Sequence, residues 1–236
     1  VRNRIDLGEV AMKLVHGKPV FESLDEVVNP AHTAVLVIDM QNDLVSFEGL
    51  GARRGGNPVA QHAIIPALQR LLGAAREAGV CVIYIKAVTE QNYASMHPSW
   101  LYRYRVLNWA NQSLDERLLE DTWGADIVEE LTPQSGDLIV KKHRESAFIG
   151  TELDQVLRSN GIQSVVVVGT ATGGCVQSTT QDAQWLDYYT VVAQDCVPSG
   201  EKSRRNEIGL ALMGEACDTP TSEELIAAWR ETGSSD

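Results

Sequence analysis

Short runs of consecutive apolar residues recur along the chain: AVLVID (34–39), VCVIYI (80–85), DLIV (137–140), SVVVVG (164–169) and TVVAQD (190–195). A continuous apolar run that stops at a turn or a charge reads as a strand buried on both faces of a parallel sheet. Between the runs the apolar spacing changes to that of a helix. Residues 58–79 carry Ile64, Leu68, Leu71, Leu72 and Ala75, and stop at Gly79. Residues 151–160 run from the capping candidate Thr151 to Gly161. Residues 175–188 place Val176, Thr179, Ala183 and Leu186 on one face. Two more helices are predicted near 200–214 and 221–230, the second opened by Thr221 or Ser222 with acids in its first turn.

Strands that alternate with helices predict a three-layer α/β/α fold with a parallel sheet. Residues 1–33 read as a peripheral arm with one short helix ended by Pro30, and 34–236 as one domain. No repeat or low-complexity tract divides it. Residues 88–124 break the rhythm with Tyr93, Trp100, Tyr102, Tyr104, Trp109 and Trp123. An aromatic connection of that length reads equally as a lid or subunit contact, or as a helical excursion covering the sheet edge.

The net charge of −12 argues against a nucleic-acid or anionic-membrane surface, either of which needs clustered Lys and Arg. No apolar run reaches transmembrane length, and residues 1–10 lack the features of a secretory signal, so the expected location is cytoplasmic. The four cysteines form no CxxC pair. Cys81 lies inside an apolar run, and Cys196 and Cys217 near strand ends, as small structural residues do.

Cys175 has a different setting. In a parallel sheet, ligands bind at the carboxyl ends of the strands. Asp39 ends the first main strand, Lys142 follows the third, and Cys175 follows the fourth after the turn GTATGGC (169–175). If the first and fourth strands are neighbours, these side chains converge. A thiol at a helix start beside an ammonium is expected to favour the thiolate. Asp39 can take its proton and return it to a leaving amine, and the glycine-rich turn can offer N–H groups to an oxyanion. Each residue taken singly has an ordinary structural explanation: a buried Cys, a capping Asp, a surface Lys. The coincidence of all three at strand ends weakens it.

VIDMQND (37–43), KHRESAFIGTELD (142–154) and GTATGGCVQSTTQDA (169–183) resemble, in order, the three signature blocks of the isochorismatase-like cysteine hydrolases, over most of 33–230. The resemblance implies Asp39 as base, Lys142 rather than Lys141 as the third member, and Cys175 as nucleophile. It also implies a cis peptide between Thr170 and Ala171, an oxyanion hole from the N–H groups of Ala171 and Cys175, a roughly six-stranded sheet with its last strand near 214–218, and a homodimer or homotetramer. The turn and KHRESAF are closest in pattern to the N-carbamoylsarcosine amidase and ureidoacrylate amidohydrolase branches. The metal-binding Asp and His pattern of nicotinamidases is not matched by Glu90 and His97, so no metal and no cofactor are expected.

The expected activity is therefore hydrolysis of a C–N bond in a small amide or ureido compound through a thioester. Vinyl ether hydrolysis of the isochorismatase type, which needs no thiol, and a non-catalytic binding protein are the alternatives. Gln41, Asn42, His143, Arg144, Thr172 and Gln177, with aromatics from 93–109, are candidate substrate contacts. Arg204 or Arg205 is a candidate carboxylate ligand, although EKSRRNE (201–207) reads more readily as a solvated charge run.

Overall fold

Strand β3 (Thr33–Ile38) lies at the middle of a five-stranded parallel sheet, and all six of its residues are buried. The computed structural model in which this is seen describes residues 13–106, 116–198 and 204–232. A short antiparallel hairpin, β1 (Lys13–Val15) and β2 (Lys18–Val20), precedes the sheet. The other strands of the sheet are β4 (Cys81–Ala87), β5 (Leu138–Lys142), β6 (Ser164–Gly169) and β7 (Tyr189–Val192), in the order β5-β4-β3-β6-β7.

Alternation along each strand divides the core into two. Val35, Val37, Val82, Tyr84, Val166 and Val168 face one side, where helices Ile65–Glu77 and Ser222–Thr232 cover them with Leu68, Leu72, Leu225 and Trp229. Leu36, Ile38, Ile83, Ile85, Val165 and Val167 face the other, under Leu153, Leu157, Ala183 and Met213. These come from helices Leu153–Ser159, Gln177–Trp185 and Arg204–Gly214. The layers are those the apolar runs predict.

β3 pairs with β4 on one side and β6 on the other, with Leu36 opposite both Ile83 and Val167. The chain thus proceeds outward in one direction from β3 and returns to its other side at β6. That reversal opens a crevice at the carboxyl ends of β3 and β6.

Several expectations need correction. The sixth strand near 214–218 reduces to a single bridge between Val191 and Asp218, with the Val192 N–H on Asp218 O at 2.9 Å. Pro220, two residues on, accepts the Gln194 N–H at 2.9 Å but has no N–H to return, so no second bridge forms. The helical run at 58–79 is two helices, Val59–Ala63 and Ile65–Glu77, with Pro66 in the first turn of the second. The short helix expected before Pro30 is present as Leu24–Val27, and Pro30 then opens a 3-10 turn, Pro30–His32, where its fixed φ suits the first position. The segment before it is tied to the core, since Val27 and Val28 are buried and Trp229 Nε1 donates to Val28 O at 2.9 Å. Among the described residues no helix is long and apolar enough to cross a membrane.

Candidate active site

Asp39 follows β3 in the left-handed region at φ 50°, and its N–H donates to Ile85 O. Lys142 is the last residue of β5 and one of the largest fully buried side chains. Its Nζ lies 2.9 Å from Asp39 Oδ2 and donates to Arg144 O at 3.0 Å. Lys141 points the other way and pairs with Glu120 on the surface, as alternation along β5 requires.

The turn after β6 brings in Cys175. Gly169 has φ 100°, and a Cβ there would overlap Ile38 O of the neighbouring strand. The Thr170–Ala171 peptide is cis. Gly173 and Gly209 allow helix Arg204–Gly214 to press against the turn, because a Cβ on either would strike the other's backbone or that of Arg205. The Gly173 N–H donates to Asn206 Oδ1 at 3.2 Å. The regular helix starts only at Gln177, beyond a kink at Gly173 and Gly174.

Asp39, Lys142, Ala171 and Cys175 line one cavity of about 260 Å³. Asp39 Oδ1 is buried there with no hydrogen-bond partner. The helix start is not the only influence on the Cys175 thiol. Burial and then the Asp39 carboxylate push the Cys175 thiol up from its ordinary value, and the pull of Lys142 in the other direction is smaller. Burial also works against the Lys142 ammonium, but Asp39 and Cys175 outweigh it and its pKa is raised. A buried Asp–Lys pair is neutral, and ionising the thiol beside it would leave one uncompensated negative charge. Cys175 nevertheless keeps an accessible edge on the cavity.

A profile of the isochorismatase domain matches residues 33–224 of the chain. The chain belongs to the isochorismatase family. A ureidoacrylate amidohydrolase, RutB, from Agrobacterium fabrum is 36% identical over 175 residues, which are 71% of this chain and 76% of that protein. A cysteine hydrolase from Pseudomonas syringae pv. phaseolicola superposes with a TM-score of 0.74 at 26% identity, over 91% of this chain and 99% of the other. An isochorismatase-like hydrolase from Alkaliphilus metalliredigens gives 0.71 at 31% identity, over 84% and 100%.

Within this family member, the expected substrate contacts divide. His143 and Arg144 line the cavity. His143 Nδ1 lies 3.0 Å from Val88 O, and its Nε2 is 3.5 Å from Glu90. Arg144 donates to Ser95 O at 3.0 Å and lies over the Trp100 ring, which lines the cavity too. Trp100 belongs to helix Pro98–Arg105, so the aromatic connection reaches the site; Trp109 lies outside the described residues.

Gln41, Asn42, Thr172 and Gln177 are not part of the lining. The Gln41 amide is fully used in bracing the backbone at Ala87 and Ala125, Asn42 donates to Trp123 O, and the Thr172 hydroxyl donates to Pro198 O. Gln177 sits beside Gly209, on the helix side of the turn. Arg205 does reach the cavity, held by Glu145 at 2.9 Å.

Sequence reasoning missed Asp43, Asn57, Gln61, Arg117 and Glu145 in the lining. Only Asp43 and Glu145 lay within recognisable blocks. Asp43 is buried, accepting the Leu50 N–H on Oδ1 and the Leu118 N–H on Oδ2. No group of three or more His, Cys, Asp or Glu suited to a metal occurs among the described residues. Glu90 is engaged by Ser95, and the His97 ring by Ser99.

Proposed function

We propose that the protein is an amidohydrolase that cleaves the C–N bond of a small ureido or amide compound with Asp39, Lys142 and Cys175. The observation that carries the reading is the unpartnered Asp39 Oδ1 on the same small cavity as the Cys175 thiol, with Oδ2 fixed by Lys142. The ureidoacrylate amidohydrolase relatives, about a third identical, support the substrate class.

Asp39 takes the thiol proton as the sulfur attacks the carbonyl carbon, so no free thiolate need accumulate. The oxyanion is met by the N–H groups of Ala171 and Cys175 and by the nearby Lys142 charge. As the C–N bond breaks, the proton passes from Asp39 to the departing nitrogen. Asp39 then deprotonates a water that attacks the thioester, and the sulfur leaves and recovers its proton. Lys142 keeps its own proton throughout and holds Asp39 in place. A cytoplasmic homodimer or homotetramer belongs to the same reading, and size-exclusion chromatography tests the assembly. Ammonia release, screened over ureido acids, linear amides and nicotinamide, tests the activity. Turnover of a ureido acid is the expected result, and silence over the whole panel would remove the proposal.

A further inference from the structure

Four cations line the cavity: Arg117, Lys142, Arg144 and Arg205. Three are engaged. Lys142 is paired with Asp39 and Arg205 with Glu145, while Arg144 donates to His143 O and Ser95 O and lies over Trp100. Arg117 differs. Its Nε is buried without a hydrogen-bond partner, and no carboxylate pairs with it among the described residues. Asp43 lines the same cavity, but its two oxygens accept from Leu50 and Leu118. In a chain with an excess of 12 acidic over basic residues, a cation without a counter-charge is a distinctive placement.

The backbone around Arg117 is held in an unusual form. Glu116 and Leu118, on either side, have φ of 66° and 53°, a region that residues with a Cβ rarely adopt. The Asp43 carboxylate holds the Leu118 N–H at 2.8 Å, and the Thr89 N–H holds Leu118 O at 2.9 Å. These contacts fix the segment that presents Arg117. Besides Asp39 Oδ1, Gln61 Oε1 is a further buried polar atom without a partner on a residue that lines the same cavity. Buried polar groups are normally satisfied, so a donor and an acceptor left open on residues that line one cavity call for an explanation.

We propose that Arg117 is a specificity-determining residue that binds a carboxylate of the substrate, with Gln61 Oε1 accepting from an N–H of the same substrate. A guanidinium grips a carboxylate through two parallel N–H bonds, which a neutral ester or amide cannot reproduce. The inference rests on the amidohydrolase reading for the other end of the substrate and narrows it to ureido or amide compounds that carry an acid group.

The test compares iodoacetate with iodoacetamide as alkylators of Cys175, read by mass spectrometry on the Cys175 peptide. The two reagents differ in carrying a carboxylate or a neutral amide, and neither requires hydrolytic activity. The iodoacetate-to-iodoacetamide rate ratio is expected to fall at least about tenfold in Arg117→Met, to fall less in Arg117→Lys, which keeps the charge but not the fork, and to change much less in Arg205→Met. In parallel, kcat/KM for 3-ureidopropionate relative to its methyl ester should fall by a similar factor in Arg117→Met, mainly through KM. A ratio unchanged within about twofold in Arg117→Met, or one that collapses instead in Arg205→Met, overturns the proposal. If Arg117→Met does not fold, protection decides: 3-ureidopropionate or propionate should slow iodoacetamide alkylation of the wild-type protein, and the matching methyl esters should not. Equal protection by acid and ester overturns the assignment. Failure of the wild-type protein to hydrolyse any ureido acid, with the alkylation ratio behaving as expected, removes the amidohydrolase reading and leaves the carboxylate site standing.

Discussion

Lys142, from the edge strand β5, reaches past β4 to place its Nζ 2.9 Å from Asp39 Oδ2 at the end of the central strand β3, and both side chains are almost wholly buried. Each charge is tolerable there only because of the other. Lys142→Met is therefore expected to destabilise the protein by about 3–5 kcal/mol, by leaving a buried carboxylate unpaired. Asp39→Asn combined with Lys142→Met should recover much of that stability and none of the activity. Lys141→Met, which removes only a surface pair with Glu120, should cost about 1 kcal/mol or less. Urea unfolding of the variants measures all three; equal losses for Lys141 and Lys142 would contradict the burial argument.

Alkaline stability follows from the same cluster. The folded-state pKa values of Lys142 and Cys175 are both raised. Above the unfolded thiol value of about 8.5, and then the unfolded lysine value of about 10.4, the unfolded chain loses protons that the folded one retains. Stability is thus full below about pH 8.5 and declines as pH rises beyond it. Cys175→Ala removes the thiol's share, so its decline between about pH 8.5 and 10 should be shallower than that of the wild type. Urea unfolding across that range checks the sign. A wild-type protein that gains stability above pH 9 would contradict the raised thiol pKa.

Gly173 and Gly209 allow helix Arg204–Gly214 to lie directly on the turn that carries Cys175. Gly173→Ala should displace that helix and lower activity more than a surface substitution does. Gly214→Ala, where the nearest atom to an added Cβ lies at 3.9 Å, should have little effect. Ammonia-release rates and thermal melting of the two variants separate the outcomes, and equal behaviour would show that the contact is dispensable.

Asp43 joins two walls of the cavity by accepting the N–H groups of Leu50 and Leu118. In Asp43→Asn one oxygen becomes an NH2 facing a donor, so one of these buried N–H groups loses its partner at a cost of about 1–3 kcal/mol. Urea unfolding should show that loss, together with a raised KM from the loosened wall. A variant as stable and active as the wild type would make the carboxylate incidental.

The central strands were legible because β3 and β6 are buried on both faces and so carry unbroken apolar runs. The convergence of Asp39, Lys142 and Cys175 followed from strand ends alone, once β3 and β6 are neighbours. The polar residues next to them have partners that their position does not reveal. Gln41 and Asn42 look like ligands by position, yet their amides satisfy carbonyls where the chain leaves the sheet. Gln61 enters the cavity from helix Val59–Ala63, where the sequence pattern marks only the apolar positions, and Arg117 from a connection without periodicity, so nothing local marks either as a site residue. The thiol's raised pKa depends on burial beside Asp39, which a helix-start argument does not contain.

The most direct test of the account is turnover by Cys175→Ala on whichever ureido or amide substrate the wild type hydrolyses, with mass spectrometry of the wild-type Cys175 peptide during turnover. Losing one member of a catalytic unit typically costs several orders of magnitude. The expected result is loss of ammonia release by at least about a thousandfold in a folded variant, and an acyl adduct on wild-type Cys175. A folded Cys175→Ala protein that keeps most of its activity would contradict nucleophilic catalysis and turn attention to chemistry that Asp39 and Lys142 perform without a thiol.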